Sequence, residues 1–379
     1  MPATPEHLAL LRLLASGAPA AALRRLQDSH GGAEPALAAG RRDWASHGLD
    51  AAACAALRQP PAAVAGWARW LDGPDRHLLG WRDPGYPPLL RRIASPPPML
   101  FVAGDPGLLW RPAVAVVGSR AATAGGRANA AAFARALAAA GLCVASGLAA
   151  GIDAAAHAAA LEVGGATVAV LGTGPDVPYP PRHRPLLDRV AAHGAVVSEH
   201  PPGTGPLRQH FPSRNRILAG LSLGVLVVEA AERSGALITA RLAGDAGREV
   251  FALPGSIHNP MARGCHRLLR EGAVLVEGPA EVLEALAPLA VDLARALRGE
   301  LEATTTVPAA PAPALDRDDP DYNRLWQALG HDPTGMDELV ERTGLTAADL
   351  SAMLLALELE GRVAAEHGRY ARTTARDQR

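Results

Sequence analysis

Residues 113–153 constrain the fold most, because two apolar runs alternate there with glycine-containing loops and an alanine-rich segment. The first run, Ala113–Val117, is short and rich in β-branched residues, which is typical of a buried parallel strand. A helix is predicted over residues 128–140 and a second strand over residues 142–145. Parallel strands end at one edge of an open α/β sheet, where helix-start N–H groups and Arg120 favour an anionic ligand. A plain packing turn between strand and helix is the alternative.

Composition narrows the possible chemistry. The chain has 379 residues, which suggests two or three domains, and a net charge of −1, so a nucleic-acid surface must be a local patch. All 37 Lys and Arg residues are arginine, which excludes a Schiff-base lysine, a Walker lysine and a Ser–Lys dyad. Arginine suits planar, two-point contacts with phosphates and bases.

The three cysteines are far apart and match neither a metal spacing nor a disulfide framework, which fits a reducing compartment. The chain does not begin like a secretory signal peptide, and its apolar runs are too short to cross a membrane. We therefore expect a cytoplasmic protein with no membrane segment.

Four parts are predicted along the chain. Residues 1–75 read as a small bundle of short helices; a helix-hairpin-helix module is the alternative, but its Gly-x-Gly turn is missing. Residues 76–287 alternate predicted strands and helices, which indicates a doubly wound, mostly parallel sheet. Within them, the proline-rich residues 81–104 are expected to be extended and not helical. Residues 288–319 are predicted to be a Pro/Ala/Thr-rich linker, and residues 320–379 a winged helix.

The predicted strands of the sheet are Ala113–Val117, 142–145, Thr167–Leu171, 196–199, 225–229, Glu249–Ala252 and 273–276. The predicted helices are 128–140, 154–163, 185–192, 215–221, 236–246 and 265–271, followed in the last domain by 322–329, Met336–Thr343 and Ala347–Leu359.

The candidate recognition helix of the winged domain is acidic. It carries Asp349, Glu358 and Glu360 and has no basic residue, so phosphates would repel it. We predict a protein-contact or spacer module; a DNA reader is the alternative.

Positive charge concentrates between Tyr179 and Ile217. This stretch contains six arginines and two acidic residues, an excess of four positive charges. The arginines are Arg182, Arg184, Arg189, Arg208, Arg214 and Arg216, and the acidic residues are Asp188 and Glu199. Arginines interleaved with aromatic rings such as Tyr179 and Phe211 suit single-stranded nucleic acid. A solvated basic surface, or an arginine–carboxylate network, accounts for the charge count equally well.

The residues before Arg214 favour the first interpretation. Proline and serine are typical of helix starts, which would place Arg214 and Arg216 on a first turn. Cations there oppose the helix dipole, so a bound anion is expected. Ser234 and Gly235 form another small-residue helix start at the same edge.

Sequence signatures of catalysis are missing. The chain has neither a Gly-x-Ser-x-Gly elbow nor a His-Glu-x-x-His motif, and the dinucleotide fingerprint after Gly118 is poor. His157 lies four residues after Asp153 and could pair with it as acid and base, but packing in an alanine-rich helix is favoured. We therefore predict no catalytic residues, no metal, no cofactor and no enzymatic activity.

Several motifs together carry a family resemblance. In chain order they are Val117-Gly118-Ser119-Arg120, Ser146-Gly147-Leu148-Ala149-x-Gly151-Ile152-Asp153-x-x-x-His157, Tyr179-Pro180, Ser198-Glu199, Phe211-Pro212-x-Arg214-Asn215-Arg216, Val228-Glu229-Ala230, Ser234-Gly235-x-Leu237-Ile238-Thr239 and Val250-Phe251-Ala252-Leu253-Pro254-Gly255. Residues 86–276 thereby resemble the DNA-processing protein A (DprA/Smf) family.

The resemblance implies an extended Rossmann-like fold between a small helical domain and a winged-helix domain. It implies a homodimer that binds and protects single-stranded DNA and loads RecA recombinase during natural transformation. Arg120 is implied as the leading DNA contact, and the remaining implied DNA-binding residues are Gly118, Ser119, Ser146, Gly147, Leu148, Gly151, Asp153, Phe211, Arg214, Asn215, Arg216, Ser234 and Gly235. Many relatives carry a basic residue directly after Tyr-Pro, where this chain has Pro181, so Arg182 and Arg184 are predicted to substitute.

Two other functions are possible. Nucleoside monophosphate phosphoribohydrolases have related folds and carry a catalytic glutamate beside a Pro-Gly-Gly-x-Gly-Thr loop, whereas residues 233–239 contain no carboxylate. A transcription factor acting through the winged helix conflicts with the acidic recognition helix.

Overall fold

The structure, a computed structural model, describes residues 3–305, 320–330, 332–359, 362–366 and 369–372. The chain divides into two compact units, Met1–Ala296 and Leu297–Arg379. Among the helices described, none combines the length and apolar character that crossing a membrane requires.

Six helices open the first unit, in the segment predicted to be a helical bundle. They are α1 (Pro5–Ala15), α2 (Ala20–His30), α3 (Ala33–Ala38), α4 (Arg41–Ser46), α5 (Ala51–Arg58) and α6 (Ala63–Leu71). Polar caps set two of their starts, since Thr4 and Asp50 each accept a backbone N–H three residues on. Their buried leucines form one cluster with Met99 and Phe101 of the sheet, so bundle and sheet share a compact unit.

A nine-stranded sheet forms the centre of this unit. Its strands are β1 (Arg76–Gly80), β2 (Met99–Gly104), β3 (Ala113–Val117), β4 (Cys143–Ser146), β5 (Thr167–Leu171), β6 (Ala195–Ser198), β7 (Gly224–Val227), β8 (Glu249–Ala252) and β9 (Val274–Leu275), in the order β1-β2-β6-β5-β4-β3-β7-β8-β9. Strands β3 to β9 are parallel, while β1 and β2 are antiparallel additions at one edge. The prediction of a mostly parallel, doubly wound sheet is confirmed.

Helices connect the parallel strands: α8 (Ala124–Ala139), α9 (Ile152–Glu162), α10 (Arg184–His193), α11 (His210–Leu221), α12 (Gly235–Asp245) and α13 (Arg263–Arg270). Strands β3 to β6 progress in one direction across the sheet, whereas β7 and β8 progress in the other. Right-handed crossovers therefore place α8, α9 and α10 on one face and α11 and α12 on the opposite face. The direction changes between β3 and β7, which makes their carboxyl ends the topological switch point.

The proline-rich residues 81–104 are only partly extended. Strand β2 is extended as predicted, but α7 (Pro88–Arg91) forms one helical turn where none was predicted. Pro88 occupies its first position, where the missing N–H is not needed.

The first part of the predicted linker is helical. Helix α14 (Pro279–Thr305) continues through residues 288–305 with Pro288 inside it, because the surrounding alanine and leucine residues favour a helix. Residues 306–319 of the predicted linker lie outside the described residues.

The second unit contains a winged helix, as predicted. Its elements are α15 (Pro320–Ala328), β10 (Thr334–Gly335), α16 (Met336–Thr343), α17 (Ala347–Leu359), β11 (Val363–Glu366) and β12 (Arg369–Arg372). Buried leucines from the three helices pack with Val363 of the wing. The side chains of Glu358 and Glu360 in the acidic recognition helix lie outside the described residues, and its role stays a prediction.

Candidate functional site

A cavity of about 660 Å³ opens at the switch point between β3 and β7. Its walls come from the loop after β3, the start of α9, the middle of α11 and the start of α12. A smaller cavity of about 270 Å³ shares Arg120, Ala149, Tyr179, Phe211 and Arg214 with it. The two cavities together are called the arginine cleft below.

Positive charge dominates the arginine cleft. Its charged lining residues are Arg120, Arg182, Arg208, Arg214 and Arg233 and one carboxylate, Asp153. Low-dielectric walls focus the field of such a predominantly positive lining, so the arginine cleft attracts anions.

Aromatic rings lie beside this charge. The Arg120 side chain is exposed, and its guanidinium carbon lies 5.4 Å from the centre of the Phe211 ring. The Tyr179 ring is 5.1 Å from the Phe211 ring, with 44° between their planes. This group, Arg120, Phe211 and Tyr179, offers both a cation and flat apolar faces to a ligand.

Arg214 forms the floor of the arginine cleft. It is 5% exposed, and its guanidinium donates to the Val170 carbonyl and, at 3.1 Å, to Asn215 Oδ1. Burial lowers the pKa of Arg214 to about 10, so it keeps its charge at neutral pH. Burial raises the pKa of the neighbouring Asp153 carboxyl, and the charge of Arg214 opposes that shift.

Asp153 and Gly147 position the loop that follows β4. The Asp153 carboxylate accepts the backbone N–H groups of Gly147 at 3.1 Å and Ala149 at 3.3 Å. A Cβ atom on Gly147 would lie 2.4 Å from the Arg214 guanidinium, so glycine is needed for this close approach.

Helix α8 does not offer a free anion site. The buried Glu229 carboxylate accepts the Thr123 N–H at 2.9 Å and the Thr123 hydroxyl at 2.6 Å, directly before α8. The predicted anion at this helix start is therefore the protein's own carboxylate. Helix α12 is capped by the Ser234 hydroxyl, which accepts the Ala236 N–H at 3.3 Å, just as the Thr123 hydroxyl accepts the Gly126 N–H of α8 at 2.9 Å. The start of α12 lines the arginine cleft beside Gly235.

Five predicted site residues do not line the arginine cleft: Ser146, Leu148, Gly151, Arg184 and Arg216. Ser146 and Leu148 are fully buried, and the Ser146 hydroxyl donates to the Val116 carbonyl at 2.6 Å. Gly151 has φ +84°, and a Cβ there would lie 2.2 Å from the Ser119 carbonyl oxygen. Ser146, Leu148 and Gly151 hold the loops after β3 and β4 together, and direct DNA contact by any of them stays a prediction.

Two of the predicted arginines, Arg184 and Arg216, contact other parts of the protein and not the arginine cleft. Helix α11 begins at His210, so Arg214 and Arg216 lie beyond its first turn, about 200° apart around the helix axis. Arg216 pairs with Glu199, and Arg184 donates to the Asp176 carbonyl at 2.8 Å. The helix-dipole argument was therefore wrong, and the alternative of an arginine–carboxylate network is correct for Arg216.

The other predicted residues line the arginine cleft. They are Gly118, Ser119, Arg120, Gly147, Asp153, Arg182, Phe211, Arg214, Asn215, Ser234 and Gly235. The predicted set omitted three lining residues, Arg208, Arg233 and Tyr179. Two sequence signals could have found the arginines, since Arg208 belongs to the charge excess and Arg233 directly precedes Ser234.

His157 is fully buried, with Nδ1 2.7 Å from the Thr167 hydroxyl, and burial lowers its pKa to about 3. This geometry agrees with a packing role.

Fold and site together define a Rossmann-like protein with an arginine-lined ligand site at the switch point of its sheet. The family model described as DNA recombination-mediator protein A matches residues 77–287, and the DprA winged helix domain model matches residues 308–369. The chain belongs to the DprA/Smf family.

Relatives and solved structures agree. Protein Smf of Escherichia coli (strain K12) is 42% identical over 306 residues, covering 80% of this chain and 79% of the relative. The DNA processing protein DprA of Streptococcus pneumoniae is 49% identical over 201 residues, covering 53% and 71%.

The X-ray structure of the DNA processing protein A from Streptococcus pneumoniae has a TM-score of 0.66 at 38% identity, covering 75% of this chain and 98% of that one. The structure of DNA processing protein A from Helicobacter pylori, described by its single-stranded DNA binding mode, has a TM-score of 0.50 at 29% identity, covering 53% and 93%.

Proposed function

We propose that this protein binds single-stranded DNA in the arginine cleft and acts in DNA processing during natural transformation. The observation that carries the proposal is the group of Arg120, Phe211 and Tyr179 beside further arginines. The Helicobacter pylori structure of the same family, described by its single-stranded DNA binding mode, supports it.

The chemistry of the arginine cleft favours a single strand over a duplex. Stacking on Phe211 or Tyr179 needs an open base face, which a duplex buries within its own stack. Guanidinium groups at the rim meet phosphates with two parallel hydrogen bonds. One strand satisfies both kinds of group at once.

A fluorescence anisotropy titration of labelled oligo-dT and a matched duplex, repeated across a salt series, tests this function. We expect the single strand to bind more tightly, with an affinity that falls steeply with salt because bound phosphates release their counterions. Preference for the duplex, or affinity that does not change with salt, would contradict the proposal.

We also propose finer parts of the function, which family membership supports. The DNA-bound protein loads RecA recombinase as a homodimer in the cytoplasm, with no catalytic step and no cofactor. RecA filament formation on strands already coated with single-strand binding protein measures the loading, and analytical ultracentrifugation measures the dimer. RecA filaments that form equally fast without the protein would overturn the loading step.

A nucleotide-cleaving enzyme is the second candidate. Residues 233–239, at the start of α12, contain no carboxylate where phosphoribohydrolases carry their catalytic glutamate, so we rank it lower. Release of free base from a panel of nucleoside monophosphates would reverse that order.

A further inference from the structure

Three metal-ligating side chains meet in the N-terminal helices, outside the arginine cleft. His30 is the last residue of α2, Asp43 lies in α4, and His47 caps the end of α4. One ligand atom from each lies within 4.8 Å of the other two.

The three side chains converge on one point. Asp43 Oδ2 is 2.7 Å from His30 Nε2 and 3.4 Å from His47 Nδ1. The imidazole ring centres are 5.8 Å apart with 56° between their planes. Asp43 and His47 are four residues apart, a spacing that puts two side chains on one side of a helical turn.

These separations suit a small divalent ion. Zinc bonds to imidazole nitrogen and carboxylate oxygen are about 2.0–2.2 Å long, which places tetrahedral ligand atoms roughly 3.4 Å apart. The His47–Asp43 separation of 3.4 Å already has this value, and the His30–Asp43 separation of 2.7 Å would have to widen by about 0.7 Å.

The surroundings add two features of a metal site. His47 Nε2, on the far side of the ring, lies 2.9 Å from the Ser29 hydroxyl, and such partners hold the ring orientation of ligating histidines. The side chains of His30, Asp43 and His47 are 26%, 35% and 19% exposed, which leaves solvent access for a water as fourth ligand.

We propose that His30, Asp43 and His47 bind Zn²⁺ or a similar divalent ion that prefers imidazole. The ion would join the end of α2 to α4 and so stabilise the helical bundle, because it binds the folded chain and not the unfolded one. A hydrogen-bonded triad without an ion is the competing explanation, since His47 Nδ1 also lies 2.9 Å from the Asp43 carbonyl oxygen.

Calorimetric titration of the metal-free, full-length protein with Zn²⁺ tests the proposal. We expect one equivalent to bind to the wild type and to the control His258→Gln, which changes an exposed histidine outside the cluster. His30→Gln and Asp43→Asn should lose this equivalent, together with the rise in melting temperature that Zn²⁺ causes. Wild type that takes up no Zn²⁺, or His30→Gln that retains the equivalent, would overturn the proposal.

Ser29→Ala provides a test that keeps all three ligands. The residue is exposed, so its loss should leave the fold intact. Removing a partner of a ligating histidine typically weakens metal affinity by about 10–100-fold. We expect a loss in that range for Zn²⁺, and unchanged affinity would count against His47 as a ligand.

Discussion

Replacing Arg120 by alanine separates a specific site from a general effect of positive charge. Arg120 is exposed at the rim of the arginine cleft, with its guanidinium against the Phe211 ring. Arg184 is another exposed arginine of the same chain, but it does not line the cleft; it donates to the Asp176 carbonyl and lies 3.9 Å from the Asp188 carboxylate. Arg184→Ala therefore removes the same charge as Arg120→Ala and serves as its matched control.

The expected magnitude follows from the lining of the arginine cleft. A hydrogen bond between charged groups contributes about 1.5–3 kcal/mol, and exposure places Arg120 at the lower end, so we expect roughly tenfold weaker binding. Each phosphate contact adds about −0.7 to the logarithmic salt slope of single-stranded DNA, so Arg120→Ala should make the slope shallower by about 0.7. Arg184→Ala should change affinity by less than about twofold at physiological salt, because Arg184 does not line the cleft and salt screens its exposed charge.

Anisotropy titrations of labelled oligo-dT with wild type, Arg120→Ala and Arg184→Ala at several salt concentrations give both quantities. If the two variants weaken binding equally and change the slope equally, affinity depends on total charge and not on the arginine cleft. That result would refute the assignment of the cleft as the DNA site.

Three further predictions concern stacking, loop packing and acid stability. Phe211→Ala should weaken oligo-dT binding by about 1–3 kcal/mol, while Phe211→Tyr keeps the ring and most of the affinity; equal losses in anisotropy titrations would argue against stacking. Gly151→Ala should lower the free energy of unfolding more than Gly164→Ala. A Cβ at position 151 would lie 2.2 Å from the Ser119 carbonyl oxygen. A Cβ at position 164 would meet open space, so Gly164→Ala should cost only about 1–2 kcal/mol for placing alanine in the left-handed conformation at φ +67°. Urea unfolding that shows equal losses would contradict the clash. Burial lowers the pKa of His200 from 6.5 to about 4. Between pH 6.5 and 4 the unfolded chain therefore binds a proton at His200 that the native protein does not bind. The free energy of unfolding should fall as the pH falls through this range. His200→Gln should flatten that decline in the urea midpoint, and an identical decline would rule out His200 as its source.

Much of the sheet could be predicted because a buried parallel strand is a continuous apolar run. Strands Ala113–Val117, Thr167–Leu171 and Glu249–Ala252 have the predicted bounds. Helix ends were harder to predict, because short-range preferences conflict there. Pro212 suggested a helix start, yet α11 accommodates it within its first turn, where its N–H is not needed.

The residues of the site divide in the same way. Gly118, Arg120 and Ser234 follow strands or precede helices, and local pattern sufficed to place them at one sheet edge. The metal-ligating cluster of His30, Asp43 and His47 gave no recognisable sequence signal, because α3 and its flanking loops separate His30 from the other two.

Local sequence thus decides where strands, helices and glycine loops form, since those preferences act over a few residues. Which arginines remain available to a ligand is decided by partners far along the chain. Arg216 pairs with Glu199, 17 residues away, and Glu229 accepts a hydrogen bond from Thr123, the N-cap of α8, 106 residues away. Only folding brings such carboxylates into hydrogen-bonding distance, and only then does the charge excess divide into the paired Arg216 and the cleft-lining Arg182, Arg208 and Arg214.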